Sequence, residues 1–164
     1  MDFDLQGALA TRDLLALYAD LLDELKSRDE IRSTNNPVAD YAEFLVAKAL
    51  ALKLAGKSTA GYDAVDAARQ KYEIKARRLT GHNKSRQLSA FRGLDEKKFD
   101  YLAGVIFNSD FTVRRACLIP HSSVKELATY KGHVNAWVLH LRESVWEVEG
   151  VEDLTKKLEH AQSM

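Results

Sequence analysis

The segment KYEIKARR, residues 71–78, alternates charged and apolar side chains, a pattern typical of a β-strand with one face in the core. Glu73 and Lys75 then lie on the same face of that strand. A carboxylate there can bind a divalent cation through oxygen, and a neighbouring ammonium can orient or deprotonate a water. Such a pair could generate a nucleophile for phosphodiester hydrolysis. The same alternation also occurs on solvated strand faces. A second acid near the pair is needed to distinguish a metal site from such a face.

Two aspartates precede this strand, Asp63 and Asp66, and they point to opposite faces because they are three residues apart. A hairpin in which paired residue numbers add to 136 places Asp63 opposite Glu73, and a sum of 138 places it opposite Lys75. Asp66 requires an odd sum such as 137, which sets it opposite Lys71 near the turn. We favour Asp63 as the second acid and interpret Asp66 as a residue of the turn.

A third acid, Glu43, lies in VADYAEFLVAKALALKLAG, which predicts a largely buried helix ending at Gly56. A buried carboxylate requires a partner such as a cation or a metal. The alternatives are an ion pair with Lys48 or a place on the exposed stripe with Asp40. We favour a place in the site, because this helix has little exposed stripe. Three carboxylates close together should raise the pKa of at least one of them.

A helix with a glutamate, a bend followed by an acid, and a strand with acid-x-Lys resemble the core of the PD-(D/E)XK nuclease superfamily, the fold of many restriction endonucleases. The motif covers residues 37–78, and the downstream order of elements to residue 127 is compatible with it. The position before the first acid is Tyr62 here, where the family has proline. The resemblance leaves the subfamily open.

The resemblance implies a role for each motif residue. Asp63, Glu73 and the backbone carbonyl of Ile74 would be ligands of Mg²⁺, with Mn²⁺ as a substitute. Lys75 would position the attacking water, and Glu43 would assist through water or the metal. Glu43, Asp63, Glu73 and Lys75 are thus the expected catalytic residues, and no other cofactor is expected.

Basic residues cluster in the middle of the chain and predict contacts with a nucleic-acid backbone. Residues 75–98 carry a net charge of +6, whereas residues 1–30 carry −5 and residues 143–164 carry −4, although the whole chain is neutral. A solvated basic loop would have the same composition. The candidate DNA-binding residues are Arg77, Arg78, His82, Asn83, Lys84, Arg86 and Gln87.

Periodicity predicts one α/β domain, with a restriction-endonuclease-like core in which a central mixed sheet is flanked by helices. We expect N-terminal helices within 1–56, a nuclease core over 37–127, and a C-terminal strand and helix within 128–164. The predicted helices, apart from the one bearing Glu43, are 11–28, a short one over 87–94, another capped by Ser122 or Ser123, and 151–161. The predicted strands are 62–67, 71–79, 98–108, 111–120 and 135–144.

Composition excludes several other classes of protein. The chain has no apolar run of about eighteen residues and no basic leader, so neither a membrane span nor a secretory signal is expected. The lone Cys117 is interpreted as a core residue in a reducing cytoplasm. No His or Cys spacing is typical of a zinc site.

These observations predict a Mg²⁺-dependent DNA endonuclease, related to restriction or repair. Cutting both strands of a duplex requires two sites, so we expect a homodimer, and the acidic terminal helices are candidates for that interface or for a protein partner. The alternatives are a non-catalytic nucleic-acid-binding or interaction module on the same fold, and a structural or regulatory protein with a merely charged strand.

Overall fold

The computed structural model describes residues 9–56, 59 and 61–164. Its α-helices are α1 (Thr11–Ser27), α2 (Val38–Leu50), α3 (His121–Leu127) and α4 (Thr155–Ser163). Its strands are β1 (Lys53–Leu54), β2 (Ala64–Val65), β3 (Lys71–Arg78), β4 (Tyr101–Phe107), β5 (Val113–Pro120), β6 (Thr129–Lys131), β7 (Ala136–Val138) and β8 (Glu152–Asp153). The helix predicted over 11–28 and the strands predicted over 71–79, 98–108 and 111–120 are confirmed. The strand predicted over 62–67 is reduced to β2, and the helix predicted over 151–161 begins at Thr155, because residues 152–153 pair as β8. No helix in the described ranges is long and apolar enough to cross a membrane.

Six strands form one mixed sheet in the order β1-β2-β3-β4-β5-β8, and β6 pairs with β7 in a separate hairpin. β3 and β4 are parallel, whereas the other neighbours in the large sheet are antiparallel. A parallel pair requires a long crossover, and residues 79–100 provide it. With helices packed against it, this sheet confirms the predicted α/β class.

The two faces of the sheet bury separate cores. Tyr72 and Ile74 of β3 pack with Leu45 and Val46 of α2 and with Leu158 of α4. This arrangement confirms the prediction that one face of the KYEIKARR strand lies in the core, and the core partner is α2. On the opposite face, the crossover and the C-terminal segment supply the cover, in a cluster that contains Leu88, Phe91, Leu94, Leu139 and Leu141. Glu73 and Lys75 therefore lie on the face that loops, rather than long helices, cover.

The helix that carries Glu43 is shorter than predicted. It ends at Leu50, and Ala51 adopts the left-handed conformation (φ 53°) in which helices often terminate. Lys53 and Leu54 then pair with Val65 and Ala64. Pairing with β2 thus overrides the helical propensity of the Ala- and Leu-rich segment.

The short helix predicted over 87–94 is wrong. Phe91 instead exchanges backbone hydrogen bonds with Trp137, at 2.8 and 2.9 Å, and Gln87 bridges His140. Leu88 and Phe91 are both buried there. Their spacing imitates a helical stripe, but their partners come from a distant part of the chain that local periodicity does not reveal.

Two further predictions need correction near the C-terminal third. Helix α3 begins at His121, so Ser122 and Ser123 lie inside the helix and neither caps it. The His121 N–H donates instead to the Asp100 carbonyl, at 2.9 Å. The strand predicted over 135–144 is reduced to β7, because the chain after Val138 leaves the hairpin.

Helix α1 has an apolar face that the described part of the chain leaves largely uncovered. Leu22 is its one buried residue, whereas Leu15 is 63% exposed and Leu21 54% exposed. By contrast, Leu158 and Ala161 of α4 are buried in the core. Of the two acidic terminal segments that sequence offered as interfaces, α1 is therefore the one with apolar surface to bury.

Gly104 of β4 provides a test of the packing on the Lys75 face, because Gly104 is the neighbour of Lys75 in the sheet. A Cβ at position 104 would lie 2.9 Å from Leu141 Cδ1. We expect Gly104→Ala to lower the free energy of unfolding by about 1–3 kcal/mol through overpacking, measured by urea denaturation. Gly81→Ala is the matched control, since no atom lies within 4 Å of its Cβ. Equal stability of the two variants would contradict the packing of this face.

Candidate metal centre

Asp63 lies directly before β2, at the point where the edge of β3 loses its neighbouring strand. The registers Ala64↔Tyr72 and Val65↔Lys71 both add to 136, one of the two sums that bring Asp63 to the acid-x-Lys motif. The Asp63 N–H donates to the Tyr72 carbonyl at 2.8 Å, and its Oδ2 accepts the Ile74 N–H at 2.7 Å. The Asp63 carboxylate thus takes the place of a strand partner for Ile74.

Asp66 occupies the turn, as the sequence predicted. Its Oδ1 accepts the Gln70 N–H at 2.8 Å, and its Oδ2 accepts the Tyr72 hydroxyl proton at 3.1 Å. These contacts close the turn between β2 and β3 and leave the role of second acid to Asp63.

Glu73 and Lys75 form an ion pair on the loop-covered face, with Lys75 Nζ 3.0 Å from Glu73 Oε1. Both side chains are mostly buried, at 18% and 13% exposed. Lys75 Nζ also lies 4.9 Å from the centre of the Phe91 ring, a cation–π contact that adds a second partner for the ammonium. The carboxylate and the amine are therefore held in fixed positions before any ligand binds.

Glu43 reaches the site from α2 and is paired with Arg32, a partner that the sequence did not indicate. Arg32 Nη2 donates to Glu43 Oε2, and Arg32 Nη1 donates to the Ala55 carbonyl at 2.8 Å. Asp40 is not on an exposed stripe with Glu43, because its Oδ2 accepts the backbone N–H groups of Arg32 and Ser33. Glu43 therefore pairs with Arg32, instead of pairing with Lys48 or lying on an exposed stripe with Asp40.

Electrostatics couple the three acids, although α2 and Glu73 lie over opposite faces of the sheet. Burial, and then the charge of Glu73, raises the pKa of Asp63 from 3.8 to about 6, against the Ile74 hydrogen bond and the charge of Lys75. Burial, and then the charge of Asp63, raises the pKa of Glu43 from 4.5 to about 6, against the guanidinium of Arg32. The pKa of more than one carboxylate is thus raised, with burial as the larger cause and the expected repulsion between neighbouring acids as the second.

Comparison with protein-family models gave no match, and comparison with curated proteins gave no significant match. The site has to be interpreted from its own chemistry. Within the ranges that the structure describes, no three His, Cys, Asp or Glu side chains are gathered as a ready-made metal site. Two of the three acids are instead paired with the protein's own cations, Glu43 with Arg32 and Glu73 with Lys75.

The oxygen donors nevertheless fit Mg²⁺, which is usually bound by one or two carboxylates together with waters and substrate phosphate. Asp63 Oδ1 and Glu73 Oε2 accept no hydrogen bond from the described residues. The Ile74 carbonyl points to the Asp63 side of the strand, because the N–H and the C=O of one residue share a side and the N–H binds Asp63. The Asp63 carboxylate and the Ile74 carbonyl therefore lie at the edge of β3 past Tyr72, whereas the Glu73 carboxylate lies on the adjacent loop-covered face.

The predicted nucleic-acid-binding residues divide between two clefts past the end of β3. Arg77, Arg78 and Asn83 line one cleft, of about 450 Å³. Lys84 and Arg86 line the other, of about 580 Å³. His82 is exposed in the loop. Gln87 does not begin a helix that faces the site, because it bridges His140.

Three residues near these positions were not singled out by sequence. Arg32 lies in a polar loop, eleven residues before the acid that it pairs with, and no local pattern connects them. Phe91 was assigned to a helix that does not form. Arg114 alternates like an ordinary solvent-facing strand residue, and only the position of β5 brings it to the cleft with Lys84. A search for arginines near the predicted buried acid could have found Arg32 as a candidate.

The raised pKa values predict how stability depends on pH in the absence of metal. An acid whose folded-state pKa is raised contributes stability below its unfolded pKa, and that stability is lost as the pH rises through about 6. The free energy of unfolding of Asp63→Asn, relative to that of wild type, should therefore be higher at pH 7.5 than at pH 4, by about 2 kcal/mol. Urea denaturation in EDTA at both pH values measures it. A difference from wild type that is independent of pH would contradict the raised pKa.

Proposed function

We propose that the protein is a metal-dependent DNA endonuclease built on a restriction-endonuclease-like core. The observation that carries this proposal is the contact of Asp63 with the Ile74 N–H, beside the Glu73–Lys75 ion pair and just past the last residue of β3 that pairs with β2. A buried lysine, two carboxylates and a strand carbonyl are suited to binding a hard divalent cation and to orienting a water for phosphodiester hydrolysis.

The residues that would hold Mg²⁺, or Mn²⁺ in its place, are Asp63, Glu73 and the carbonyl of Ile74. When bound, the cation supplies Lewis-acid stabilisation of the charge that develops on the phosphate. Lys75 orients the attacking water by donating a hydrogen bond to its oxygen, and Phe91 keeps the ammonium in place. Glu43 and Arg32 act from α2 and the preceding loop as positioning residues, because they pair with each other beside Asp63.

A specific observation also favours the alternative of a non-catalytic nucleic-acid-binding module. In the described ranges the protein's own cations already hold two of the acids, and no group of three metal donors is assembled. A protein that binds DNA without cutting it would keep this charge arrangement. Metal binding and cleavage separate the two functions.

Cleavage of supercoiled plasmid and of circular single-stranded DNA with Mg²⁺ or Mn²⁺ tests the endonuclease. Lys75→Ala should reduce the rate by about 10²–10⁴-fold, the usual contribution of a group that positions or transfers a proton. Asp63→Asn should be similarly inactive, because it removes a metal ligand. Asp66→Asn is the matched control and should retain most of the activity, since Asp66 serves the turn. Equal cleavage by wild type, Lys75→Ala and Asp63→Asn would exclude this mechanism.

Thermal unfolding tests the metal site without any substrate. A ligand that binds only the folded state at 100 times its Kd stabilises by about 2.7 kcal/mol, which corresponds to roughly 5–10 °C for a chain of this size. We expect Mn²⁺ to raise the Tm of wild type relative to EDTA, and Asp63→Asn to lose the increase. An unchanged Tm in wild type at high Mn²⁺ would favour the non-catalytic module.

The homodimer stays a prediction, supported by the uncovered leucines of α1 and by the need for two cuts in a duplex. DNA also stays the proposed partner, and restriction or repair the proposed setting in a cytoplasm.

A further inference from the structure

Two clefts adjoin each other beyond the C-terminal end of β3. The first is lined by Arg77 and Arg78 together with Val38 and Ala39 of α2, and the second by residues of loop 79–86 and of the hairpin between β4 and β5. Thr80 lines both. The two clefts therefore form one continuous surface, and Ala76 and Arg77 of its lining follow Lys75 on β3.

Arg77 and Arg78 leave hydrogen-bonding capacity unused in the first cleft. The Nε atom of each is buried and has no hydrogen-bond partner among the described residues. These buried atoms are out of a ligand's reach, so a phosphate in the cleft would bind the other guanidinium nitrogens of the two arginines that line it. Arg78 is already oriented, because its guanidinium lies 4.5 Å from the centre of the Phe111 ring.

The first turn of α2 adds favourable electrostatics to the same cleft. The leading N–H groups of a helix have no intrahelical partner, and the helix dipole favours an anion near them. The Asn36 side chain accepts the Val38 N–H at 3.2 Å, so the turn keeps its shape without a ligand. Asp40 in the same turn offsets this attraction, so the two guanidinium groups are what favour a phosphate over a neutral ligand.

The second cleft is basic as well, although acids lie near it. Lys84, Arg86 and Arg114 line it, with Asp110 as the acid in the lining. Asp110 Oδ1 accepts the N–H and the hydroxyl proton of Thr112, at 3.0 and 2.6 Å, and Glu143 pairs with Arg86. Arg114 makes one long hydrogen bond, to Asn108 Oδ1 at 3.4 Å. The lining of the second cleft therefore carries more positive than negative charge.

Position along β3 connects these clefts to the proposed site. Arg77 follows Lys75 by two residues on the same strand face, a distance of about 6.6 Å. We infer that a nucleic-acid strand leaves the site through the Arg77–Arg78 cleft and continues through the Lys84–Arg86–Arg114 cleft, so that the two clefts hold phosphates on one side of the cut. This inference rests on the proposed function. Backbone contacts of this kind carry no sequence information.

Fluorescence anisotropy with a 5′-fluorescein single-stranded DNA in EDTA tests the clefts without cleavage. Each phosphate contact removed should reduce the slope of log K against log salt by about 0.7 for a single strand. We expect this reduction, with weaker binding at low salt, for Arg78→Gln and for Arg114→Gln. Lys156→Gln, an exposed lysine of α4 near the opposite edge of the sheet, is the matched control and should bind like wild type.

Arg114→Gln keeps the test decisive if Arg78→Gln is unstable, because Arg114 is exposed and makes few contacts. Binding by Arg114→Gln with the affinity and salt slope of wild type would overturn the path through the second cleft. Wild-type protein that does not bind the oligonucleotide at low salt would overturn both clefts.

The outcomes separate this inference from the endonuclease proposal. Wild type that binds with the expected salt slopes but does not cleave with Mn²⁺ would leave the clefts in place and remove the nuclease. Wild type that cleaves, with variants that bind unchanged, would keep the nuclease and overturn the clefts.

Discussion

The hydrogen bond from the Ile74 N–H to the Asp63 carboxylate is the constraint on which the rest of the site depends. β2 is two residues long, so the edge of β3 loses its strand partner directly after Tyr72. An unpaired strand edge exposes N–H and C=O groups that need partners. Asp63 satisfies the N–H, and in doing so it places a carboxylate beside Glu73 and leaves the Ile74 carbonyl facing the same opening. A longer β2 would have closed that opening.

Placing acids at this edge has an electrostatic consequence that the surrounding contacts only partly offset. Burial and mutual repulsion raise the pKa values of Asp63 and Glu43 to about 6, although Lys75 and Arg32 lie close enough to oppose the increase. The three acids near this edge therefore carry more negative charge than Lys75 and Arg32 neutralise. A divalent cation would supply it, which connects the stability of the metal-free fold to the proposed chemistry.

Sequence predicted the site best where geometry is local. The alternation in KYEIKARR and the short distance to Asp63 restrict the hairpin to a few registers, and the observed sum of 136 is one of the two that place Asp63 with the motif. It failed where partners are distant. Arg32 and Glu43 come from different segments, and Phe91 reaches Lys75 only because residues 87–91 pair with residues 137–140 instead of forming a helix.

The sequence by itself determined which residues could do chemistry, the α/β class and the face on which Glu73 and Lys75 lie, because strand periodicity and hairpin register depend on neighbours along the chain. Tertiary structure alone decided where β2 stops, that Arg32 holds Glu43, and that Arg114 lies across a cleft from Lys84. Those outcomes depend on packing between segments far apart in sequence. Local patterns do not show which distant segment will pack against a given strand or loop.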